Sequence, residues 1–281
     1  MTDLSMNRRG VLAAGLAFAA TPALARAALT TTTIKVGDRD VELTVARPDA
    51  PKGVIVFSHG AGSAPDAYPG LFEAWAKAGF LVVEPMHVDS LKHPKHADYD
   101  LRAAFPLRIA DLAATRAWAA QAAPGLPMAA AGHSYGSLMS MIEGGALDAM
   151  LHARDPNLKA VVSFSSAGLI PGLIGPSAYA TLTPPFLMIT GDRDVLQGNF
   201  DDWHDHLRPF ETSPAGDKYA WIGKDVDHGL AHGRDATKAS AFADAAALSV
   251  TFLKATMLAD AEAKAALAAR TSTPIAEFRR R

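Results

Sequence analysis

The 281-residue sequence contains no cysteine. Cysteine nucleophiles, thiolate-bound metals and iron–sulfur clusters are therefore excluded, and with no disulfide to staple the fold, stability has to come from burial. An excess of either charge is also missing. The 27 Lys and Arg against 29 Asp and Glu leave a formal net charge of −2, with a pI near 6.5. That balance creates no field to attract a phosphate backbone or an anionic lipid surface, so nucleic acid is not an expected partner. Long apolar runs are absent too: the stretch over residues 11–20 is roughly half of what a membrane span requires. No internal repeat, low-complexity linker or shift in composition marks off a second domain. Apolar residues are plentiful, at 49% of the chain, which suffices for one sizeable core.

The N-terminus has the pattern of an export signal. Arg8 and Arg9 precede the apolar residues 11–20, and Ala23-Leu24-Ala25 or Ala25-Arg26-Ala27 supplies small residues for cleavage. Paired arginines ahead of a short apolar segment point to the twin-arginine route, and hence to a periplasmic or secreted protein. The expected organisation is a signal peptide over residues 1–27 and a single domain over 28–281, with no stable membrane insertion once the signal is removed.

Beyond the signal, residues 33–36 and 41–46 alternate as half-buried strands do, with Gly37-Asp38 as a hairpin turn between them. The pattern then changes to continuous apolar runs at 54–57, 80–83, 128–131, 160–164 and 186–189, as expected of strands covered on both faces. A last run at 219–222 is expected to close the sheet. Helical patterns fill the intervals at 68–78, 106–121 and 137–147, and a long Ala-rich stretch runs from 238 to about 269. Strands alternating with helices predict an α/β fold: a mostly parallel, twisted sheet with helices on both faces. The Gly- and Pro-rich segment 165–185 is too short for a large lid domain.

At the end of the 128–131 run stands Gly132-His133-Ser134-Tyr135-Gly136. A serine flanked two residues each way by glycine, between strand and helix, fits the tight turn that lifts a nucleophilic hydroxyl above a sheet. A free serine hydroxyl is a poor nucleophile near neutral pH and needs a base. His228, in Asp227-His228-Gly229 beyond the 219–222 run, is the best-placed imidazole, ahead of His232. The base in turn needs a carboxylate to fix its tautomer. Gly191-Asp192-Arg193-Asp194 follows the 186–189 run, and Asp194 is preferred because it stands further into the loop, leaving Asp192 to cap the turn. The order Ser134, Asp194, His228 matches the chain order of a parallel-sheet hydrolase. Ser58-His59-Gly60-Ala61-Gly62 ends the 54–57 run, so the amides of Ala61 and Tyr135 are candidate oxyanion donors. Gly62 and His87 are candidate substrate contacts.

Other polar clusters carry weaker signals. His87, Asp89, His93, His96 and Asp98 crowd one loop, but the spacing is irregular and Pro94 interrupts it, so no metal site is expected. Trp203-His204-Asp205-His206 reads as a surface face with one buried tryptophan. Arg102 and Arg108 read as a solvated helix terminus, and the basic end Arg279-Arg280-Arg281 as a frayed tail.

The segments FSHGAG (57–62), VVEPMHVDS (82–90), GHSYG (132–136), ITGDRD (189–194) and DHG (227–229) resemble those of α/β-hydrolases of the dienelactone-hydrolase-like group. Within it the sequence is similar to bacterial proteins like chlorophyllases and platelet-activating-factor acetylhydrolases. The resemblance runs from about residue 54 to 252 and implies an α/β-hydrolase fold with oxyanion donors at Ala61 and Tyr135. Dienelactone hydrolases proper use cysteine where Ser134 stands, so hydrolysis of a small carboxylic ester is implied more strongly than lactone opening. No cofactor or metal is called for, and oligomeric state is not indicated. Acyl transfer to another acceptor (peroxide included), amide or polyester hydrolysis, and a non-catalytic binding role of the same fold are the alternatives.

Overall fold

The computed structural model describes residues 29–168, 170, 173–196 and 201–281; the expected signal peptide lies outside them. β1 (Leu29–Val36) and β2 (Arg39–Ala46) form an antiparallel hairpin, turning at Gly37 with φ +60°. The apolar runs become β3 (Gly53–Ser58), β4 (Phe80–Pro85), β5 (Met128–His133), β6 (Ala160–Phe164), β7 (Phe186–Arg193) and β8 (Lys218–Asp227). A further strand, β9 (Ala276–Arg280), follows. The sheet order is β1-β2-β4-β3-β5-β6-β7-β8-β9. Strands β3 to β8 run parallel, and antiparallel pairings flank them on both sides.

The helices are α1 (Pro69–Lys77), α2 (Leu101–Ala122), α3 (Tyr135–Glu143), α4 (Asp148–Leu151), α5 (Arg208–Thr212), α6 (Ala239–Met257) and α7 (Ala261–Ala269). Alternation along the buried strands sorts them onto two layers. Ile55 and Phe57 pack with Trp75 of α1 and Phe252 of α6. Val54 and Val56, on the opposite face, pack with Leu112 of α2 and Leu138 of α3. This is the expected α/β fold. Among the described residues no helix is long and apolar enough to cross a membrane.

Three expectations are corrected. The run at 219–222 does not close the sheet. The basic tail does, as β9, with Phe278 stacked on Tyr219; its apolar members turn inward while its arginines stay half-buried or exposed. The long Ala-rich stretch is two helices, broken where Ala259 takes φ +53° and Asp260 caps the next helix through Ala263 N–H. Helix α2 starts five residues before Pro106, because Asp100 accepts the Ala103 N–H at 2.8 Å and caps it there.

The chain leaves β3 toward β4 on one side and later returns to β5 on the other. Loops leaving the C-terminal ends of β3 and β5 therefore diverge, and a crevice opens at that reversal of strand order.

Candidate active site

Ser134 follows β5 directly and takes φ 55° and ψ −119°, a conformation that costs a non-glycine residue about 1–3 kcal/mol. Its surroundings hold it there. The Ser134 N–H donates to Phe164 O at 2.9 Å, and the two flanking glycines let the backbone close in. A Cβ on Gly132 would fall 2.2 Å from Gly136 O, and one on Gly136 would fall 1.9 Å from Ser58 O. The turn thus stands against β3, with the Ser134 side chain half-buried at the start of α3.

His228 follows β8, and its Nδ1 lies 2.7 Å from Asp194 Oδ1. Asp194 follows β7 and is fully buried, with Thr190 Oγ1 donating to its Oδ2 at 2.7 Å. Burial alone would raise the Asp194 pKa, but the hydrogen bonds and charges of His206 and His228 overcome it and hold the carboxyl far below the usual range. A carboxylate at Nδ1 dictates the proton there, so the His228 Nε2 keeps its lone pair. Asp192, expected to cap the turn, lies within β7 instead and accepts the Asp225 N–H of β8 at 2.6 Å, a cross-strand contact at the irregularity in their pairing. His232 sits away from Asp194, stacked on Tyr68 with Nδ1 facing Ala67 O.

The loop carrying His228 is tied to the turn bearing Ser134. His133 Nε2 lies 2.9 Å from His228 O, and its Nδ1 lies 3.1 Å from the Tyr68 hydroxyl. Burial, with the neighbouring His228 and His232, pushes the His133 pKa down to about 3. The ring is neutral, so Nε2–H donates to the carbonyl and Nδ1 accepts from Tyr68.

Behind the crevice lies a buried polar network that composition alone does not reveal. Arg108 of α2 has no exposure and grips Asp89 with two hydrogen bonds of 2.8 and 2.7 Å. The same guanidinium donates to His59 O at 2.7 Å and to Gly60 O at 3.2 Å and stacks 4.5 Å from the Tyr135 ring centre. Burial would raise the Asp89 pKa, but the Arg108 hydrogen bond and charge bring it down to about 2. The expectation of a solvated helix terminus is therefore wrong for Arg108, which lies two turns inside the capped helix on its core face.

This network fixes the loop 59–62. With the carbonyls of His59 and Gly60 held by Arg108, the Gly60 N–H goes to Tyr68 at 3.0 Å, the Ser63 N–H to Gly60 O at 3.1 Å, and the Gly62 N–H to Asp89 at 3.4 Å. Among the described residues the Ala61 amide has no acceptor, and Ala61 is exposed. The Tyr135 amide, at the first position of α3, likewise has none. Gly62, expected against substrate, gives its amide to Asp89. His87, expected there too, is fully buried, with Nε2 3.0 Å from Ser58 Oγ and Nδ1 3.1 Å from Asp111 Oδ2; it supports the loop from behind. Burial, then the charge of Arg108, keeps the pKa values of His59 and His87 well below the ordinary histidine range. Glu84, on β4 beside this network, is fully buried, and among the described residues neither carboxyl oxygen has a partner of ordinary hydrogen-bond geometry; burial pushes its pKa well up against the opposing charge of Arg108 and a backbone hydrogen bond from His59.

His206 also departs from expectation. It sits in a 3-10 turn, Trp203–Leu207, and is fully buried, whereas Trp203 is half-buried and stacked on exposed His204. The His206 Nε2 lies 3.2 Å from Asp194 Oδ1, so the acid serves two imidazoles. Asp194, His206 and His228 bring polar atoms within 4.8 Å of one another, but those atoms already engage each other at N–H···O separations. The group is a hydrogen-bonded cluster, and we assign no metal to it.

Parallel strands, a serine at a strained strand-to-helix turn after β5, and acid and imidazole on the loops after β7 and β8 define the α/β-hydrolase fold. Solved structures agree. A dienelactone hydrolase from Anabaena variabilis ATCC 29413 is similar over 83% of this chain and 99% of its own, with 17% identity and a TM-score of 0.62. An alpha-beta serine hydrolase homologue from Coxiella burnetii is similar over 79% and 95%, with 16% identity and a TM-score of 0.58. TT1662 from Thermus thermophilus is similar over 82% and 98%, with 17% identity and a TM-score of 0.54. No family model and no curated protein matches the sequence.

Proposed function

We propose that this protein is an exported serine hydrolase of carboxylic esters. The observation that carries the reading is the buried Asp194 paired with His228 on the loop tied, through His133, to the turn bearing Ser134. In the first half-reaction Ser134 Oγ attacks the ester carbonyl while His228 Nε2 takes its proton. Negative charge gathers on the carbonyl oxygen, and the free amides of Ala61 and Tyr135 are the donors for it; each such donor is worth about 3 kcal/mol of barrier. The His228 imidazolium then protonates the departing alkoxide, leaving an acyl group on Ser134. Water, deprotonated by His228, attacks that acyl group, and the carboxylic acid leaves as Ser134 regains its proton. The names of two similar structures, a dienelactone hydrolase and a serine hydrolase homologue, support acyl transfer to water.

Export rests on Arg8, Arg9 and the short apolar segment that follows them. A periplasmic or secreted product beginning after Ala25 or Ala27 is expected on N-terminal sequencing. The catalytic reading is tested with a fluorophosphonate, which phosphonylates an activated serine. Labelling of Ser134, lost in Ser134→Ala together with turnover of p-nitrophenyl esters, is the expected result. A folded protein that resists the reagent overturns it.

A further inference from the structure

His206 has oxygen acceptors at both ring nitrogens. Nε2 lies 2.9 Å from Asp194 O and 3.2 Å from Asp194 Oδ1, and Nδ1 faces Ser166 O. A backbone carbonyl cannot donate, so each nitrogen needs its own proton to make a hydrogen bond, and a ring with two N–H groups is an imidazolium. The neutral form would press one lone pair against an oxygen in a fully buried site, a contact that costs about as much as an unpaired buried polar group.

From this we propose that His206 is a positioning residue of the hydrolase. It stands as a buried imidazolium on the triad acid, fixing the Asp194 carboxylate and setting how acidic the medium can become before activity is lost. The proposal rests on the serine-hydrolase reading for its catalytic part only. Burial opposes the charge on His206, but the hydrogen bond and negative charge of Asp194, with the two carbonyls, outweigh it and raise its pKa. The carboxylate is then held from three sides, by Thr190 on Oδ2 and by His206 and His228 on Oδ1. Its negative charge is shared between two rings whose centres are 6.2 Å apart.

The electrostatic consequence follows from that separation. Among the described residues the titratable groups facing His206 are Asp194, on the loop after β7, and His228, on the loop after β8. From α5, which continues the 3-10 turn, Arg208 and Glu211 are solvent-exposed. A positive charge at His206 opposes a second one at His228, whose ring centre is 6.2 Å away. Without His206 the acid limb should move upward.

Two measurements test this. In the unsubstituted protein labelled with nitrogen-15 histidine, both ring nitrogens of His206 carry protons at neutral pH. In His206→Gln, which keeps a donor but not the charge, the acid limb of kcat/KM moves up by about one pH unit, and kcat on the plateau falls about tenfold or more. A purely structural role would lower stability and leave the limb in place. A single protonated nitrogen on His206, or a folded Gln variant with an unmoved limb, overturns the proposal. If the Gln variant does not fold, the nitrogen-15 signature decides alone. Fluorophosphonate labelling of Ser134 separates the outcomes: an unlabelled serine defeats the hydrolase reading and leaves the protonation state of His206 to be read directly.

Discussion

Gly136 stands so close to Ser58 that any Cβ on the glycine would fall 1.9 Å from the serine's carbonyl oxygen. That oxygen belongs to β3 and cannot move without dragging the 59–62 loop that follows. Gly136→Ala is therefore expected to cost about 3 kcal/mol of stability and most esterase activity. Urea denaturation followed by circular dichroism measures the first; a stable, active Ala variant contradicts the packing described.

Asp192 and Asp194 sit two residues apart with different partners, Asp225 N–H and the His228 imidazole. Asp194→Asn should lower kcat by about 10³–10⁴-fold by destroying the tautomer that frees Nε2. Asp192→Asn should leave kcat/KM nearly unchanged. Equal losses in the two variants would remove Asp194 from its role.

Arg108 separates folding from catalysis. Arg108→Met strands the Asp89 carboxylate in the interior and should cost about 3–5 kcal/mol. Arg108→Lys keeps a charge but cannot reproduce the forked grip on Asp89 and the two carbonyls. Its kcat should fall about 10- to 100-fold with KM little changed, as steady-state kinetics on p-nitrophenyl acetate would reveal.

Glu84 predicts a pH dependence of stability. Its folded pKa is raised by burial, so the folded state holds a proton that the unfolded state releases above the ordinary glutamate value. Stability from this group is thus full at acid pH and declines as pH rises above about 4.3. Glu84→Gln should match the parent in acid and be more stable than it at neutral and mildly alkaline pH. Urea midpoints at both ends of the range check the sign; a Gln variant less stable at neutral pH would show that the carboxylate is ionised and paired.

The parts legible in the sequence are those whose signal is local. Apolar runs of four or five residues announced β3 to β8, and the glycines around Ser134 announced the turn, because a tight backbone approach demands a missing side chain. The pairing of Asp194 with His228 was legible by position, each residue a few places beyond an apolar run. Arg108 was not, although a signal existed: Ala104, Arg108, Asp111, Leu112, Thr115 and Ala119 are the buried residues of α2, and their spacing lays the arginine and the aspartate on the core face. His206 left no such trace. Its partners, Ser166 and Asp194, are 40 and 12 residues away, in loops whose meeting depends on the whole sheet. The β9 strand was hidden for a similar reason, since its inward residues find their neighbours only once β8 is in place.

The hold of Arg108 on the carbonyls of His59 and Gly60 reaches beyond geometry. Peptide dipoles restrained in this way have no freedom to swing away from an arriving negative oxygen or to collapse onto one another in an empty crevice. The work of aligning them is done once, as the chain folds, and in the proposed hydrolase would not be repeated at each turnover. Damage that loosens α2 without unfolding it would therefore show itself there as slow turnover long before it showed as a molten chain.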